Sequence, residues 1–160
     1  MSTRTFTDIL SRIADYKQKE VEERKSVLPL DQLQAEPFFN RQAKSLRDSI
    51  MDPSKTGIIA EFKRKSPSAG AINLNASVRQ VTMGYAKSGA SGLSVLTDTP
   101  SFGGSLDDLL TARQYVQTPI LRKDFMLDEY QVYEAKAFGA DAILLIAAMI
   151  DRYECEKLAG

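Results

Sequence analysis

Residues 58–70 read Ile-Ile-Ala-Glu-Phe-Lys-Arg-Lys-Ser-Pro-Ser-Ala-Gly, and this stretch predicts a short strand that runs into a loop. The apolar run 58–60 is too short for a helix and follows the turn-forming residues 52–57. Pro67 and Gly70 end the strand, because proline cannot continue a hydrogen-bonded ladder and glycine adopts backbone angles that other residues avoid.

Side-chain alternation along this strand predicts two opposite charges on one face of its carboxyl end. Glu61 and Lys63 share a face with Ile59, whereas Phe62 lies on the other face. A carboxylate and an ammonium persist together in a buried position only when each has a partner or a charged ligand. The pair therefore indicates either a functional site or an ordinary solvated ion pair, and the segment alone does not decide between them.

The overall composition limits the partners that the protein can have. The chain has 160 residues, of which 43% are hydrophobic, and this is enough for one substantial core. Its 21 basic and 21 acidic residues cancel, so no overall field favours nucleic acid or an anionic membrane. The three cations at 63–65 are too few for a nucleic-acid patch. We expect neither nucleic acid nor a membrane as a partner.

The residue types also limit the chemistry. The sequence has no histidine, and Cys155 is its single cysteine, which excludes an intramolecular disulfide, the common zinc sites and histidine-activated nucleophiles. Lys, Glu, Asp or Tyr must therefore carry any acid–base chemistry. We expect Cys155 to pack as a small hydrophobic residue or to lie exposed without a role. The sequence lacks a signal peptide and any run of about 20 apolar residues, so we expect a soluble, cytoplasmic protein.

Residues 1–56 are predicted to form a helical extension. Apolar spacing predicts a helix over about 6–24, beginning at a motif over 5–8 that resembles a capping box. A short helix near 29–33 and an apolar segment over 38–50 follow. The polar face of the first helix is expected to be solvated, and it carries Lys17, Lys19, Glu20, Glu22, Glu23, Arg24 and Lys25.

Residues 57–160 are predicted to form four strands, each followed by a helix. This pattern indicates parallel β/α units, since parallel neighbours need a long crossover. The later strands are expected at 92–97, 120–125 and 142–146, and the helices are expected to begin near Ser77, Ser105, Asp128 and Asp151. The last strand is apolar throughout, as expected for a parallel strand covered on both faces.

A faint internal repeat supports the same architecture. Residues 89–96 resemble residues 139–146, and each segment is a helix stop followed at once by a strand. Such repetition fits an eight-fold barrel or an open doubly wound sheet, and spacing alone does not choose between them. For this length, a doubly wound sheet of four or five strands is the default.

Charged and glycine-rich segments follow three strands, at the edge where parallel β/α proteins bind ligands. Glu61 and Lys63 follow the first strand, residues 101–104 the second and residues 122–125 the third. Alternation places Lys123 at the same end of the sheet as Lys63. Two lysines and a glutamate in one partly dry pocket would influence one another's protonation. The Gly-Gly pair in 101–104 is only a weak signal for a phosphate site.

Five segments, taken together, resemble indole-3-glycerol-phosphate synthase. They are Ile-Ile-Ala-Glu-Phe-Lys-Arg-Lys-Ser-Pro-Ser at 58–68, Ser-Val-Leu-Thr-Asp at 94–98, Ser-Phe-Gly-Gly-Ser at 101–105, Leu-Arg-Lys-Asp-Phe at 121–125 and Gly-Ala-Asp-Ala-Ile-Leu-Leu-Ile at 139–146. Their order and spacing also match, as do the leading helices, so the resemblance covers essentially the whole chain.

The resemblance implies a (β/α)8 barrel with an amino-terminal helical extension, acting in tryptophan biosynthesis. The implied reaction closes the pyrrole ring of 1-(2-carboxyphenylamino)-1-deoxyribulose 5-phosphate, a small phosphorylated substrate, with loss of carbon dioxide and water. No cofactor and no metal are expected.

The resemblance also implies roles for individual residues. Lys123 matches the general acid at the substrate carbonyl, Lys63 matches a lysine that binds the substrate carboxylate and can also act as an acid, and Glu61 matches the neighbouring catalytic carboxylate. The positions that match the substrate pocket are Ser66, Phe102, Phe125 and Leu144. On the residues alone, the two phenylalanines can equally be packing aromatics and the serine a turn residue.

The sequence departs from the family in length, because a full barrel needs roughly 250 residues. We expect residues 57–160 to be the first half of the barrel, ending in the fourth helix. A later catalytic glutamate, an asparagine and the phosphate-binding loops after strands seven and eight would then be missing. Two unpaired sheet edges and an exposed inner face favour self-association or pairing with a complementary half.

Two alternatives to a synthase follow from this reasoning. One is a non-catalytic half barrel that works through such association. The other is a related barrel enzyme such as phosphoribosylanthranilate isomerase, against which the absence of a cysteine and aspartate pair near the first strand argues.

We predict that these 160 residues alone have little or no synthase activity, because the expected phosphate contacts and the second catalytic glutamate are absent. A turnover assay on the purified chain checks this. Rates like those of an intact synthase would contradict it.

Overall fold

The computed structural model describes residues 3–160, with side chains from residue 9 onward. The helices are α1 (Thr3–Val27), α2 (Leu30–Ala35), α3 (Leu46–Met51), α4 (Val78–Lys87), α5 (Thr99–Phe102), α6 (Leu106–Tyr115), α7 (Glu129–Ala137) and α8 (Arg152–Ala159). The strands are β1 (Ile59–Phe62), β2 (Lys65–Ser66), β3 (Gly70–Ala71), β4 (Gly92–Leu96), β5 (Ile120–Lys123) and β6 (Ala142–Ile143). None of the described helices combines the length and the apolar composition that crossing a bilayer requires.

The amino-terminal extension is helical, as predicted, but its boundaries differ. Helix α1 already includes residues 5–8, so the motif there is not a cap, and the helix continues beyond the predicted end to Val27. In the apolar segment 38–50 only the carboxyl part is helical. Helix α3 begins there because the Ser45 hydroxyl accepts a hydrogen bond from the Asp48 N–H, which satisfies a free donor of the first turn.

Four strands form one parallel sheet in the order β1-β4-β5-β6, which confirms the predicted parallel β/α units. The strands of this sheet that follow one another along the chain are also neighbours in the sheet. The helix residues Val78, Leu109 and Ala135 belong to one buried cluster with Phe62 and Ile120 of the sheet. These helices therefore cover the sheet face that carries Phe62 and Ile120. A strand order that follows the chain without reversal is that of a barrel segment, whereas a doubly wound sheet reverses its order at a switch point, so the default expected from length is wrong.

The loop predicted after the first strand contains a small antiparallel hairpin of β2 and β3. Its closing residue Gly70 has φ of 65°, a left-handed conformation that costs glycine little. The hairpin lies at the carboxyl end of β1, beside the charged residues that follow it.

The two outer strands are shorter and more exposed than predicted. Within the described residues β1 and β6 each pair on one side only. Regular pairing of β6 stops at Ile143, and residues 144–146 are half-buried, so the prediction of a last strand covered on both faces over 142–146 is wrong. At the other edge Ile58 precedes the strand and is 59% exposed. An edge strand lacks the second neighbour that would extend its ladder.

The Asp141 carboxylate joins the extension to the barrel sheet at the amino ends of the strands. One oxygen accepts from Arg41 Nη1 at 2.7 Å and from the Lys44 N–H at 2.8 Å. The other accepts from Arg113 Nη1 and from the Ile120 N–H, both at 2.8 Å. Because the carboxylate is fully buried, these four donors compensate for its lost hydration.

Candidate active site

Glu61, Lys63 and Lys123 converge at the carboxyl ends of the parallel strands, as the sequence predicted. Lys63 Nζ lies 2.6 Å from Glu61 Oε1, and Lys123 Nζ lies 2.5 Å from Glu61 Oε2. The three side chains are 33%, 36% and 26% exposed for Lys63, Lys123 and Glu61, so a ligand can reach all of them. By strand alternation, Glu61 and Lys123 lie on the opposite face of the sheet from Phe62 and Arg122.

The charge on Glu61 is stabilised by its two partners. Partial burial raises the pKa of Glu61, but the hydrogen bonds from Lys123 and then from Lys63 outweigh it, and the pKa falls below the ordinary value. Glu61 is therefore anionic at neutral pH, and each of its carboxylate oxygens is paired with one lysine ammonium group. A ligand that binds the lysines frees this carboxylate.

An apolar cavity of about 200 Å³ opens beside Lys123. It is lined by Leu96, Asp98, Phe102, Lys123, Asp124, Phe125, Leu144 and Ile146. The rings of Phe102 and Phe125 pack against each other on one side of it, with centroids 6.4 Å apart and a tilt of 33°. Apolar cavities of about 150 Å³ accommodate a benzene ring, so this one has room for an aryl group. Three of the four residues predicted to line a substrate pocket meet here.

Ser66, the fourth predicted pocket residue, does not line this cavity. Its hydroxyl accepts from the Ala69 N–H at 3.1 Å within the hairpin and lies 3.4 Å from the Ser68 hydroxyl. These contacts are those of a turn residue, and a role for Ser66 in substrate binding stays a prediction.

The segment between Thr97 and Ser105 is ordered by a short helix that the sequence did not predict. The Asp98 carboxylate accepts from the Ser101 N–H at 2.9 Å and caps α5. Gly103 ends this helix with φ of 65°. A Cβ on Gly104 would lie 2.1 Å from the Leu96 carbonyl oxygen. Backbone geometry therefore accounts for both glycines of the Gly-Gly pair.

Lys17 is the main functional-site residue that sequence reasoning misplaced. It was predicted to lie on a solvated helix face, but it is fully buried, and its Nζ lies 2.9 Å from both Asp98 Oδ1 and Asp124 Oδ1. The spacing of the apolar residues along α1 already indicated that Lys17 is buried. Lys17 lies four residues after Ile13 and four before Val21, on the apolar stripe of α1.

The buried charges extend beyond Lys17. Arg122, one of the charged residues at the end of the third predicted strand, is also fully buried. Its guanidinium lies 3.0 Å from Asp124 Oδ2 and 2.8 Å from Glu134 Oε2. Thr97 Oγ1 donates to Asp124 Oδ2 at 2.6 Å. Each charge of this network has partners, which is the condition for burying it.

The network fixes the protonation of its members. Burial raises the pKa of Asp124, but Arg122 and Lys17 lower it more, to about 2. Burial lowers the pKa of Lys17, but Asp124 and Asp98 outweigh it, and the pKa rises above the ordinary value. Both groups therefore stay charged across the physiological range.

Comparison with known proteins gives one consistent family. The family model described as indole-3-glycerol phosphate synthase matches residues 10–160. A protein of that name from Bacteroides thetaiotaomicron is 47% identical over 152 residues, covering 95% of this chain and 58% of the relative. Its namesakes from Hyphomonas neptunium and Neisseria gonorrhoeae are 47% and 42% identical, covering 94% and 95% of this chain. The chain spans 57% to 60% of the length of these curated relatives.

We predict an acid-dependent loss of stability that depends on Asp124. Its folded pKa of about 2 lies below the ordinary value of 3.8, so the folded state binds fewer protons. The resulting stabilisation, about 2 kcal/mol, is nearly complete above about pH 5 and is lost as the pH falls through about 2. Urea unfolding between pH 2 and pH 5 measures it.

The variant Asp124→Asn should be less stable at pH 7 and should lose part of this pH dependence, whereas the exposed control Asp15→Asn should keep it. Equal slopes for Asp124→Asn and the wild type would contradict the assignment.

Proposed function

The chain belongs to the indole-3-glycerol phosphate synthase family, and from this premise we propose that it carries part of the active site for the ring closure of 1-(2-carboxyphenylamino)-1-deoxyribulose 5-phosphate in tryptophan biosynthesis. The reaction loses carbon dioxide and water, which makes the enzyme a carboxy-lyase. A cytoplasmic location belongs to the same proposal.

One observation carries the proposal: Glu61 holds Lys63 and Lys123 together at the rim of a cavity with two aromatic walls. The substrate combines an aryl ring, a carboxylate and a ketone. We place the ring in the cavity against Phe102 and Phe125, the carboxylate at Lys63 and the ketone oxygen at Lys123. Each substrate group then meets a protein group of complementary chemistry.

The ring closure needs an acid where negative charge develops. As the aromatic carbon that carries the carboxylate attacks the ketone carbon, Lys123 donates a proton to the ketone oxygen, which becomes a hydroxyl. Carbon dioxide then leaves, and its bonding electrons return to the ring. The hydroxyl departs as water, together with a proton from the neighbouring carbon, and the pyrrole ring becomes aromatic. Glu61, released when both lysines turn to the substrate, is a base within reach of these protons.

The phosphate group needs contacts beyond those that the described site supplies. The resemblance assigns the phosphate-binding loops to positions after the seventh and eighth strands, whereas the parallel sheet formed by the described residues has four strands. A test of activity must therefore supply the remaining part. A chimaera in which this chain replaces the matching segment of the Bacteroides thetaiotaomicron relative does so.

We predict that this chimaera catalyses ring closure and that Lys123→Ala lowers its kcat by about 100- to 10,000-fold, the usual contribution of a general acid. The measurement is the formation of indole-3-glycerol phosphate from the purified substrate. Lys87→Ala, at the exposed end of α4, is the matched control and should retain full activity.

An active Lys123→Ala chimaera would refute the role of Lys123. A folded chimaera without activity, given an active Bacteroides parent, would refute the proposed function.

A second candidate function, association through the sheet edges, is favoured by the exposed apolar residues at one edge. Ile58, just before β1, is 59% exposed, and Ile59, its first residue, is 40% exposed. Within the described residues β1 has a sheet neighbour on one side only. Unpaired edges with exposed apolar side chains are templates for another chain.

We predict that the isolated chain self-associates, because pairing covers these edges. Light scattering across a concentration series measures the mass, and Ile58→Lys should shift the equilibrium toward the monomer, whereas Tyr153→Lys on the exposed surface of α8 should not. A strictly monomeric wild-type chain at all concentrations would exclude this candidate.

A further inference from the structure

We propose that Lys17, a residue of the amino-terminal extension, is a positioning residue for the aromatic cavity: it fixes the distance between the Phe102 and Phe125 walls through the carboxylates of Asp98 and Asp124. Lys17 itself touches no substrate. The assignment of the cavity to the aryl ring of the substrate rests on the function proposed above, whereas the geometry of the walls does not.

Asp98 connects Lys17 to the first wall. One carboxylate oxygen of Asp98 lies 2.9 Å from Lys17 Nζ and accepts the Tyr16 hydroxyl at 2.9 Å. The other oxygen accepts the Ser101 N–H at the first turn of α5. Phe102 is the last residue of this one-turn helix, so the orientation of the Asp98 carboxylate fixes the place of the Phe102 backbone.

Asp124 connects Lys17 to the second wall. The Asp124 oxygen that lies 2.9 Å from Lys17 Nζ also accepts the Phe125 N–H at 2.9 Å. Its other oxygen is held by Arg122 and Thr97. The carboxylate therefore fixes the backbone at Phe125, directly after the catalytic candidate Lys123.

The Lys17 ammonium is the group that joins the two carboxylates. Without it, two buried negative charges would face each other, and repulsion together with lost pairing would separate the β4–α5 and β5–α7 segments. A shift of about 1 Å at a binding wall is enough to weaken binding substantially. A lysine of the extension thus acts on the cavity through two intermediate side chains.

The test uses the 160-residue chain labelled with 4-fluorophenylalanine, because ¹⁹F resonances of Phe102 and Phe125 report the walls directly. Phe102→Leu and Phe125→Leu assign the two signals. Lys17→Met, which keeps the length of the side chain without its charge, should shift and broaden both signals. Lys17→Arg, which restores a cation, should return them toward the wild-type positions. Lys19→Met, exposed on the same helix, should leave them unchanged.

Wild-type signals in a folded Lys17→Met chain would overturn the proposal. If circular dichroism shows that Lys17→Met does not fold, Lys17→Met with Asp98→Asn decides instead. The asparagine can still cap α5 and leaves no unpaired charge there, so this variant should fold with both signals displaced, and unchanged signals would again overturn the proposal.

Kinetics on the chimaera provide a second, separate measurement. Lys17→Met should raise KM by about tenfold while kcat falls less than about threefold, since the walls bind the ring and Lys123 stays in place. A wild-type chimaera without ring-closing activity would count against the proposed function only, because the ¹⁹F measurement tests Lys17 independently of activity. Equal losses in kcat and kcat/KM would contradict a positioning role in binding.

Discussion

The burial of one ammonium group between two carboxylates is the constraint on which the rest of this structure depends. Removing Lys17, Asp98 and Asp124 from water is costly, and the cost is offset only while all three stay within hydrogen-bond distance. The extension, the segment after β4 and the segment after β5 must therefore adopt one relative position. A weaker, solvated set of charges would tolerate many positions, and the apolar cavity would then have no fixed shape.

The two groups of charges in this region have different roles because their solvent exposure differs. The buried group around Lys17 and Asp124 is closed, since each member is satisfied by protein partners. The group of Glu61, Lys63 and Lys123 is about one third exposed, so its ion pairs exchange readily with a charged ligand. A rigid network that supports an exchangeable one is the arrangement expected of a pre-organised site.

The sequence predicted those features that follow from local pattern. Strand alternation and the parallel β/α rule placed Glu61, Lys63 and Lys123 at one edge. The family resemblance, rather than local pattern, pointed to Phe102, Phe125 and Leu144, which line one cavity there. The bounds of β6 were not predictable, because an apolar run does not reveal whether a strand has one neighbour or two. Lys17 was misplaced because a lysine on a charged helix is usually solvated, and its partners Asp98 and Asp124 are distant in sequence.

The contact of Arg41 with Asp141 links positions 100 residues apart and so bears on how the protein emerges during synthesis. At a translation rate of about 5–20 residues per second, the ribosome needs about 5–20 s to reach the aspartate after the arginine has been added. Throughout that interval the contact of Arg41 with Asp141 cannot form. The buried Val21 and Leu33 pack against Tyr130 and Ala137, so these apolar contacts also wait until that later part of the chain has been made.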